Sequence, residues 1–196
     1  MNFLAHLYLS GTNPKIMVGN FIGDFVKGKS QLLTFEPEII QGIELHRAID
    51  EFTDSHPIVS QSKNRLRPKY RHYSPVIVDV LYDHYLAKNW NAYHALLLPE
   101  FAEECYQTLQ LHHGILPAEV KQLLPYMISG NWLVNYSRIE GIQRALTGMA
   151  RRTKFDSKMD ESINDLRQHY EAFKEEFEAF FPELTEHAEN FLGPQQ

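Results

Sequence analysis

Apolar residues recur every three to four positions along most of this chain, which is the period of an α-helix buried on one side. The N-terminal stretch FLAHLYL is apolar except for one polar side chain, His6. Prolines open further apolar segments, as in PKIMVGN and PVIVDVL, and proline is typical of a first helical turn. No convincing two-residue alternation indicates a β-strand. The pattern predicts an all-α, single-domain helical bundle spanning residues 1–196.

The expected segments follow from the breaks between apolar runs. We expect helical segments at residues 1–10, 14–28, 37–55, 75–90, 91–113, 117–135, 138–150, 157–181 and 183–192, with a loop at 29–36. The segment 157–181 carries a heptad-like apolar seam from Met159 to Phe180. We interpret it as the closing helix of the bundle.

Four of these apolar segments carry ionisable side chains at positions that face inward. Burying each group alone would cost several kcal/mol, so we expect the groups to share one centre. A mixed set of imidazoles and carboxylates suits Mn²⁺, Fe²⁺, Mg²⁺ or Zn²⁺, and an oxygen-rich set favours Mn²⁺ or Mg²⁺. In GIELHRAIDEFTDSHP, residues His46, Asp50 and Asp54 are four positions apart. Side chains at that spacing project from nearly the same face of a helix. The groups are His6; Asp24; His46 with Asp50; and Asp83 with His84.

Composition narrows the classes of function. A net charge of −6 does not suggest binding to nucleic acid. The single cysteine, Cys105, excludes an internal disulfide and a multi-thiolate zinc site, and it agrees with a reducing cytoplasm. We expect neither a signal peptide nor a membrane span. The chain also lacks the G-x-S-x-G elbow, the phosphate-binding G-x-x-x-x-G-K-[ST] loop and any Glu-x-x-His pair.

Four stretches together resemble the acyl carrier protein phosphodiesterase family, over essentially the whole chain. They are MNFLAHLYLS, GNFIGDFVKG, GIELHRAIDEFTDSHP and YSPVIVDVLYDHYLAKNW. The resemblance implies a distant, all-helical branch of the HD-type metal-dependent phosphohydrolases. It implies an enzyme that hydrolyses the phosphodiester joining 4′-phosphopantetheine to a serine of holo-acyl carrier protein. The products would be apo-carrier protein and 4′-phosphopantetheine, and Mn²⁺ is the usual activator.

The resemblance also implies metal ligands. His6 would stand for the first HD-type histidine, and Asp24 for the aspartate of the His-Asp-Ile-Gly-Lys stretch of HD proteins. Gly23 occupies the position of the histidine in that doublet, so the missing ligand would be His46 or Asp50. The final HD-type aspartate would be Asp83, with Asp79 one turn earlier as its competitor. The predicted metal ligands are His6, Asp24, His46, Asp50 and Asp83.

Three residues are predicted to act in catalysis. His46 or His84 would donate a proton to the leaving serine oxygen. For His84 the alternative is a core histidine bonded to a backbone carbonyl. Lys27 would match the lysine of the HD stretch and neutralise the phosphate, as Arg47 could; the alternative for both is an ordinary surface residue.

The carrier protein implied by the resemblance is small and very acidic, so an enzyme with net charge −6 needs a local basic surface to bind it. The segment 60–73, SQSKNRLRPKYRHY, adjoins two of the helices that carry predicted ligands. The alternative is a solvated loop with scattered charge. The predicted docking residues are Lys63, Arg65, Arg67, Lys69 and Arg71.

Two other functions stay open at this point. One is an HD-like phosphohydrolase acting on a nucleotide or another small phosphoester, which a deep closed pocket would favour. The other is a non-catalytic helical module that binds a carrier protein or a metal.

Overall fold

The computed structural model describes residues 1–193, and they form α-helices joined by short turns, with no β-strand. The last three residues of the predicted domain lie outside this description. The all-α prediction is confirmed. The helices are α1 (Phe3–Tyr8), α2 (Pro14–Ile22), α3 (Gly28–Leu32), α4 (Pro37–Ser55), α5 (Pro57–Tyr70), α6 (Ser74–Lys88), α7 (Leu98–Leu111), α8 (Ala118–Ser129), α9 (Trp132–Asn135), α10 (Ile139–Arg152), α11 (Ser162–Gln168) and α12 (Tyr170–Leu192).

Helix α6 lies at the centre of the bundle, with nearly all of its side chains buried. Helix α12 covers it with aromatic residues: the ring of Phe177 lies 5.6 Å from Tyr82 and 5.9 Å from Tyr85. The apolar seam of the C-terminal segment is therefore used inside this chain, as expected for a closing helix. Within residues 1–193, no helix is both long and apolar enough to cross a membrane.

Some predicted boundaries were wrong. The C-terminal segment breaks at His169, between α11 and α12, and continues unbroken through Pro182. Buried Phe181 and Leu184 on either side of the proline hold that stretch in the core. The predicted loop at 29–36 contains all of α3 except its first residue, and the basic run at 60–73 is mostly helix α5.

Helices α2 and α4 pack closely enough to bring their backbones into contact. A Cβ atom added at Gly19 would collide with the carbonyl oxygen of Ile39, and one added at Gly42 would collide with that of Ile16. Only glycine permits this approach at both positions. The contact sets Asn20 of α2 beside His46 of α4, as the hydrogen bond between them shows.

Candidate metal centre

Three side chains from two helices meet at one point. His6 of α1 and His46 of α4 are buried and their rings stack, with centroids 4.0 Å apart. Asp50, one turn after His46, lies with Oδ1 3.3 Å from Nε2 of His6 and Oδ2 3.2 Å from Nε2 of His46. One ligand atom from each residue lies within 4.8 Å of the others. The structure thus brings together His6, His46 and Asp50, as the sequence led us to expect; their role as ligands stays a prediction.

Asn20 orients both imidazoles. Its side-chain amide donates to the carbonyl oxygen of His6 (2.7 Å) and to Oγ of Ser10 (3.0 Å). The remaining oxygen, Oδ1, therefore accepts from Nδ1 of His6 at 2.8 Å, while the backbone oxygen of Asn20 accepts from Nδ1 of His46 at 2.8 Å. With Nδ1 protonated, each Nε2 presents a lone pair toward Asp50, which is how metal-binding histidines are usually held.

These lone pairs face other acceptors, so the arrangement calls for a cation. Among the described residues, Nε2 of His46 is the buried side-chain nitrogen or oxygen that has no hydrogen-bond partner. It lies 3.3 Å from Oδ1 of Asp24 as well as close to Asp50. Nε2 of His6 faces Asp50 and also the carbonyl oxygen of Met1, at 3.2 Å. A divalent cation bound by two imidazoles and a carboxylate would satisfy these atoms.

The pKa values of the cluster agree with a site for positive charge. Burial lowers the pKa of His6 to about 4, so this ring carries no second proton at neutral pH. Burial also acts to lower the pKa of His46, but the carboxylates of Asp24 and Asp50 outweigh it and raise that pKa to about 9. Without a metal ion, a proton on His46 supplies the positive charge, and a bound metal ion would replace it.

Gly23 explains how His46 fits. A Cβ atom at Gly23 would overlap the ring of His46, so the imidazole occupies the space that a side chain at position 23 would need. Of the two candidates for the histidine missing at Gly23, His46 is therefore the one that lies against that position.

Asp24 and Lys27 lie at the solvent-exposed edge. The side chain of Asp24 is 72% exposed, and the neighbouring imidazole of His46 lowers the pKa of its carboxyl. Lys27 is exposed and forms no ion pair within residues 1–193. Arg47 donates a long hydrogen bond, 3.4 Å, to the carbonyl oxygen of Val26, so its guanidinium group lies beside this segment.

The role predicted for Asp83 is revised by its position. Its carboxylate accepts hydrogen bonds from the backbone nitrogens of Leu4 (2.7 Å), Asn2 and Ala5 (both 3.3 Å) at the start of α1. These donors occupy a fully buried carboxylate that would otherwise be free to bind a cation. Asp83 therefore holds the helix that carries His6. Its competitor Asp79 lies 3.1 Å from the backbone nitrogen of Met1.

The predicted catalytic role of His84 is revised as well. Nδ1 donates to the carbonyl oxygen of Tyr136 at 2.8 Å, and Nε2 lies 3.0 Å from the hydroxyl of Tyr170. Burial lowers the pKa of His84. With both ring nitrogens bonded within the core, His84 matches the alternative of a core histidine and has no nitrogen free for a substrate.

The predicted docking run is largely neutralised by the chain itself. Of its five cations, Arg67 and Arg71 are exposed and have no acidic partner among the described residues. The other three face acidic groups because α5 packs against α4 and α12 and its C-terminal end lies beside the turn before α11. The ion pairs join Lys63 to Asp54 (3.2 Å), Arg65 to Glu176 (2.6 Å) and Lys69 to Glu161 (3.1 Å).

A cavity of about 460 Å³ is lined in part by residues that neighbour the centre in the sequence. Phe3, in the same short helix as His6, and Phe25, next to Asp24, form one wall. Helices α8, α9 and α10 supply the rest. Neither this cavity nor the role of Asn20 was predicted from the sequence. Asn20 is a polar residue inside an apolar helix, one turn before Asp24, and could have been singled out on that ground.

Comparison with known proteins places the chain in a family. Residues 1–184 match the family model described as acyl carrier protein phosphodiesterase. Proteins with that name from Photorhabdus laumondii and Yersinia enterocolitica are 34% and 35% identical over 191 residues, covering 97% of this chain and 96% and 98% of theirs. One from Escherichia coli is 36% identical over 195 residues, covering 96% of this chain and 97% of its own. No solved structure matches. The chain therefore belongs to the acyl carrier protein phosphodiesterase family.

Proposed function

We propose that this protein hydrolyses the phosphodiester between 4′-phosphopantetheine and the serine of holo-acyl carrier protein, with a divalent cation, first of all Mn²⁺, held by His6, His46 and Asp50. One observation supports the bound metal ion: two buried imidazoles, both oriented by Asn20, direct their Nε2 atoms at the carboxylate of Asp50. Family membership supports the choice of substrate.

A cation bound here would lower the pKa of a water molecule and polarise a phosphoryl oxygen. Asp24, ionised and largely exposed beside His46, is placed to accept a hydrogen bond from the attacking water. Arg47 and Lys27 supply positive charge next to this edge for the phosphate. His46 cannot bind the cation through Nε2 and also donate a proton, so its role is that of a ligand. Lys27 is then the one residue of the predicted catalytic set with a free side chain.

The test is incubation of the purified protein with holo-carrier protein and Mn²⁺, followed by mass spectrometry of the carrier. We expect loss of one 4′-phosphopantetheine group, and EDTA should stop the reaction. His46→Ala should lower turnover by about 100-fold or more together with Mn²⁺ affinity, while His113→Ala, an exposed histidine outside the centre, should not. Turnover of small phosphoesters but not of the carrier would favour the nucleotide alternative, and no turnover at all would favour the non-catalytic module.

The docking surface of the carrier protein is proposed to lie at the end of α10 and in the segment after it. The exposed cations there have no acidic partner within residues 1–193, in contrast to most of those on α5. Arg71 of the predicted docking run lies close to this surface, since it lines the same surface hollow as Lys158. We call this surface the α10 rim; it consists of Arg144, Arg151, Arg152, Lys154 and Lys158.

The α10 rim also borders the cavity beside the metal centre, because Arg144 and Arg152 line that cavity. An acidic carrier bound at the rim would therefore present its modified serine close to the centre. This arrangement combines charge complementarity for docking with access to the reacting bond.

A further inference from the structure

We infer that the cavity between α1 and helices α8–α10 receives the pantetheine arm of the substrate, so that the phosphate lies at the metal centre and the arm extends along α10. This inference rests on the proposed function and adds a binding site for the part of the substrate that keeps the phosphate.

Two residues that line the cavity are close in the sequence to residues of the centre, where the phosphate would be. Phe3 lies one helical turn before His6, and Phe25 follows Asp24 directly. The rings of these two residues form the wall nearest the centre. In the pantetheine arm, one CH₂ group joins the phosphate oxygen to a carbon with two methyl substituents, and these methyl groups suit contact with aromatic rings.

The remaining lining fits a chain that is apolar with a few polar groups. Leu123, Ala145 and Met149 give apolar surface. Glu119 and the side-chain oxygen of Asn135, whose amide nitrogen donates to the carbonyl oxygen of Gly130, are acceptors that can meet the two amides of the arm. A volume of about 460 Å³ lies in the range of small-molecule sites. The cations Arg144 and Arg152 are exposed at the rim, where they face the carrier and not the interior.

A nucleotide is the competing occupant, because Trp132 could stack on a base and the arginines could meet phosphates. The arm is favoured for two reasons. The lining residues next to the centre in the sequence, Phe3 and Phe25, are apolar rings. Free cations continue beyond the cavity along the α10 rim, which suits an acidic protein better than one compact anion.

Gly148 of α10 offers a sharp test. It lines the cavity, and a Cβ atom added there would meet no atom within 4 Å, so a larger side chain can enter the open space without a clash. Its φ is not positive, and replacing a glycine inside a helix favours folding. Gly148→Leu should therefore fold normally and partly fill the cavity. Gly114→Leu is the matched control, because its Cβ atom also meets nothing within 4 Å and Gly114 does not line the cavity.

The two variants and the wild type are compared in three measurements: Mn²⁺ affinity, the KM for holo-carrier protein, and the binding of 4′-phosphopantetheine by calorimetry with Mn²⁺ present. In Gly148→Leu we expect unchanged Mn²⁺ affinity, a KM raised about tenfold or more, and a matching loss of 4′-phosphopantetheine binding. Gly114→Leu should behave as the wild type.

The outcomes separate this inference from the proposed function. An active wild type with the same KM and 4′-phosphopantetheine affinity in Gly148→Leu would overturn the inference alone. A wild type that leaves holo-carrier protein intact would overturn the proposed function. Calorimetry would then test the binding site on its own: 4′-phosphopantetheine binding that is lost only in Gly148→Leu would support the inference, and no binding to the wild type would overturn it. A purine nucleotide that binds more tightly than 4′-phosphopantetheine and is excluded by Gly148→Leu would also overturn it.

Discussion

At the scale of single residues, Asn20 controls the centre without belonging to it. Its side-chain oxygen accepts a hydrogen bond from Nδ1 of His6, and its backbone oxygen accepts one from Nδ1 of His46. Both rings are thereby held in one tautomer and one orientation, with Nε2 directed at Asp50. A side chain that fixes two ligands at once affects metal affinity more than its own hydrogen bonds would suggest.

Asn20→Ala should reduce Mn²⁺ affinity by about 10- to 100-fold, because His6 loses the acceptor that fixes its ring. Calorimetric titration with Mn²⁺ measures this. Asn13→Ala is the control: Asn13 caps the start of the same helix through the backbone nitrogens of Lys15 and Ile16, so the change should cost about 1 kcal/mol of stability. Its Mn²⁺ affinity should be that of the wild type. Equal Mn²⁺ affinities in the two variants would show that Asn20 has no orienting role.

Asp83 shows a second residue-scale effect, on stability. Burial raises the pKa of its carboxyl to about 7, although the backbone donors Leu4 and Ala5 act to lower it. An aspartate in an unfolded chain has a pKa of about 3.9. Between these values the folded protein binds the proton and the unfolded chain does not, so the contribution of Asp83 to stability is largest below pH ~4 and is lost as the pH rises through ~7.

Asp83→Asn should remove this dependence, because the amide does not titrate. Urea unfolding of wild type and variant at pH 5 and pH 8 gives the difference in free energy of unfolding between them. We expect the free energy of unfolding of the wild type, minus that of Asp83→Asn, to be larger at pH 5 than at pH 8. A difference that is the same at both pH values would mean that Asp83 keeps an ordinary pKa in the folded protein.

At the scale of elements, the contact between α2 and α4 determines whether the centre forms. The glycines at positions 19 and 42 let the two backbones touch, and the hydrogen bond from His46 to the backbone of Asn20 crosses this same contact. Metal ligands from separate helices must be placed to within a few tenths of an ångström of a given geometry. The spacing of the two helices and the geometry of the centre are therefore coupled.

Gly42→Ala should destabilise the protein by about 1–3 kcal/mol, because the added methyl group meets the backbone of Ile16. It should also weaken Mn²⁺ binding, since α4 must move away from Asn20. Gly148→Ala is the matched control, an alanine in a helix with open space around its Cβ atom, and should be neutral or stabilising. Thermal unfolding and Mn²⁺ titration of both variants provide the measurements. Wild-type Mn²⁺ affinity in a destabilised Gly42→Ala would contradict the coupling.

At the scale of the whole molecule, charge is distributed unevenly. The chain has a net charge of −6, yet the α10 rim gathers five exposed cations without acidic partners within residues 1–193. An acidic carrier protein would be repelled by most of the surface and attracted to this region. Since the charges are exposed, salt should screen the attraction.

Replacing Arg151 and Lys154 together by glutamine should raise the KM for holo-carrier protein several-fold at low salt, with unchanged kcat and Mn²⁺ affinity. The effect should largely vanish at ~1 M salt, where the Debye length is about 3 Å. The control is the pair Lys88→Gln and Arg167→Gln, which removes the same charge from exposed positions elsewhere. Steady-state kinetics over a range of salt provide the test. An equal rise in KM for both pairs would point to net charge and not to the α10 rim.

The local order of residues was enough to predict the helices and the polar groups within them. Helix α4 runs from Pro37 to Ser55 as expected, because a proline opens it, its apolar residues are spaced for one buried face, and a second proline follows it. His46 and Asp50 share a face because they are one turn apart. These features depend on neighbours within a turn or two of helix, which the sequence displays directly.

The hydrogen-bond and ion-pair partners of each polar group depended on the packing of distant segments. They could not be predicted from the sequence. Asp83 accepts hydrogen bonds from backbone nitrogens 78–81 residues away. Arg65 forms an ion pair with Glu176, and the two ring nitrogens of His84 are hydrogen-bonded to Tyr136 and Tyr170. Periodicity shows that a side chain faces inward but not what lies opposite it. Tertiary structure alone decided which inward groups share the centre, since their atoms meet only when α1, α2 and α4 pack together.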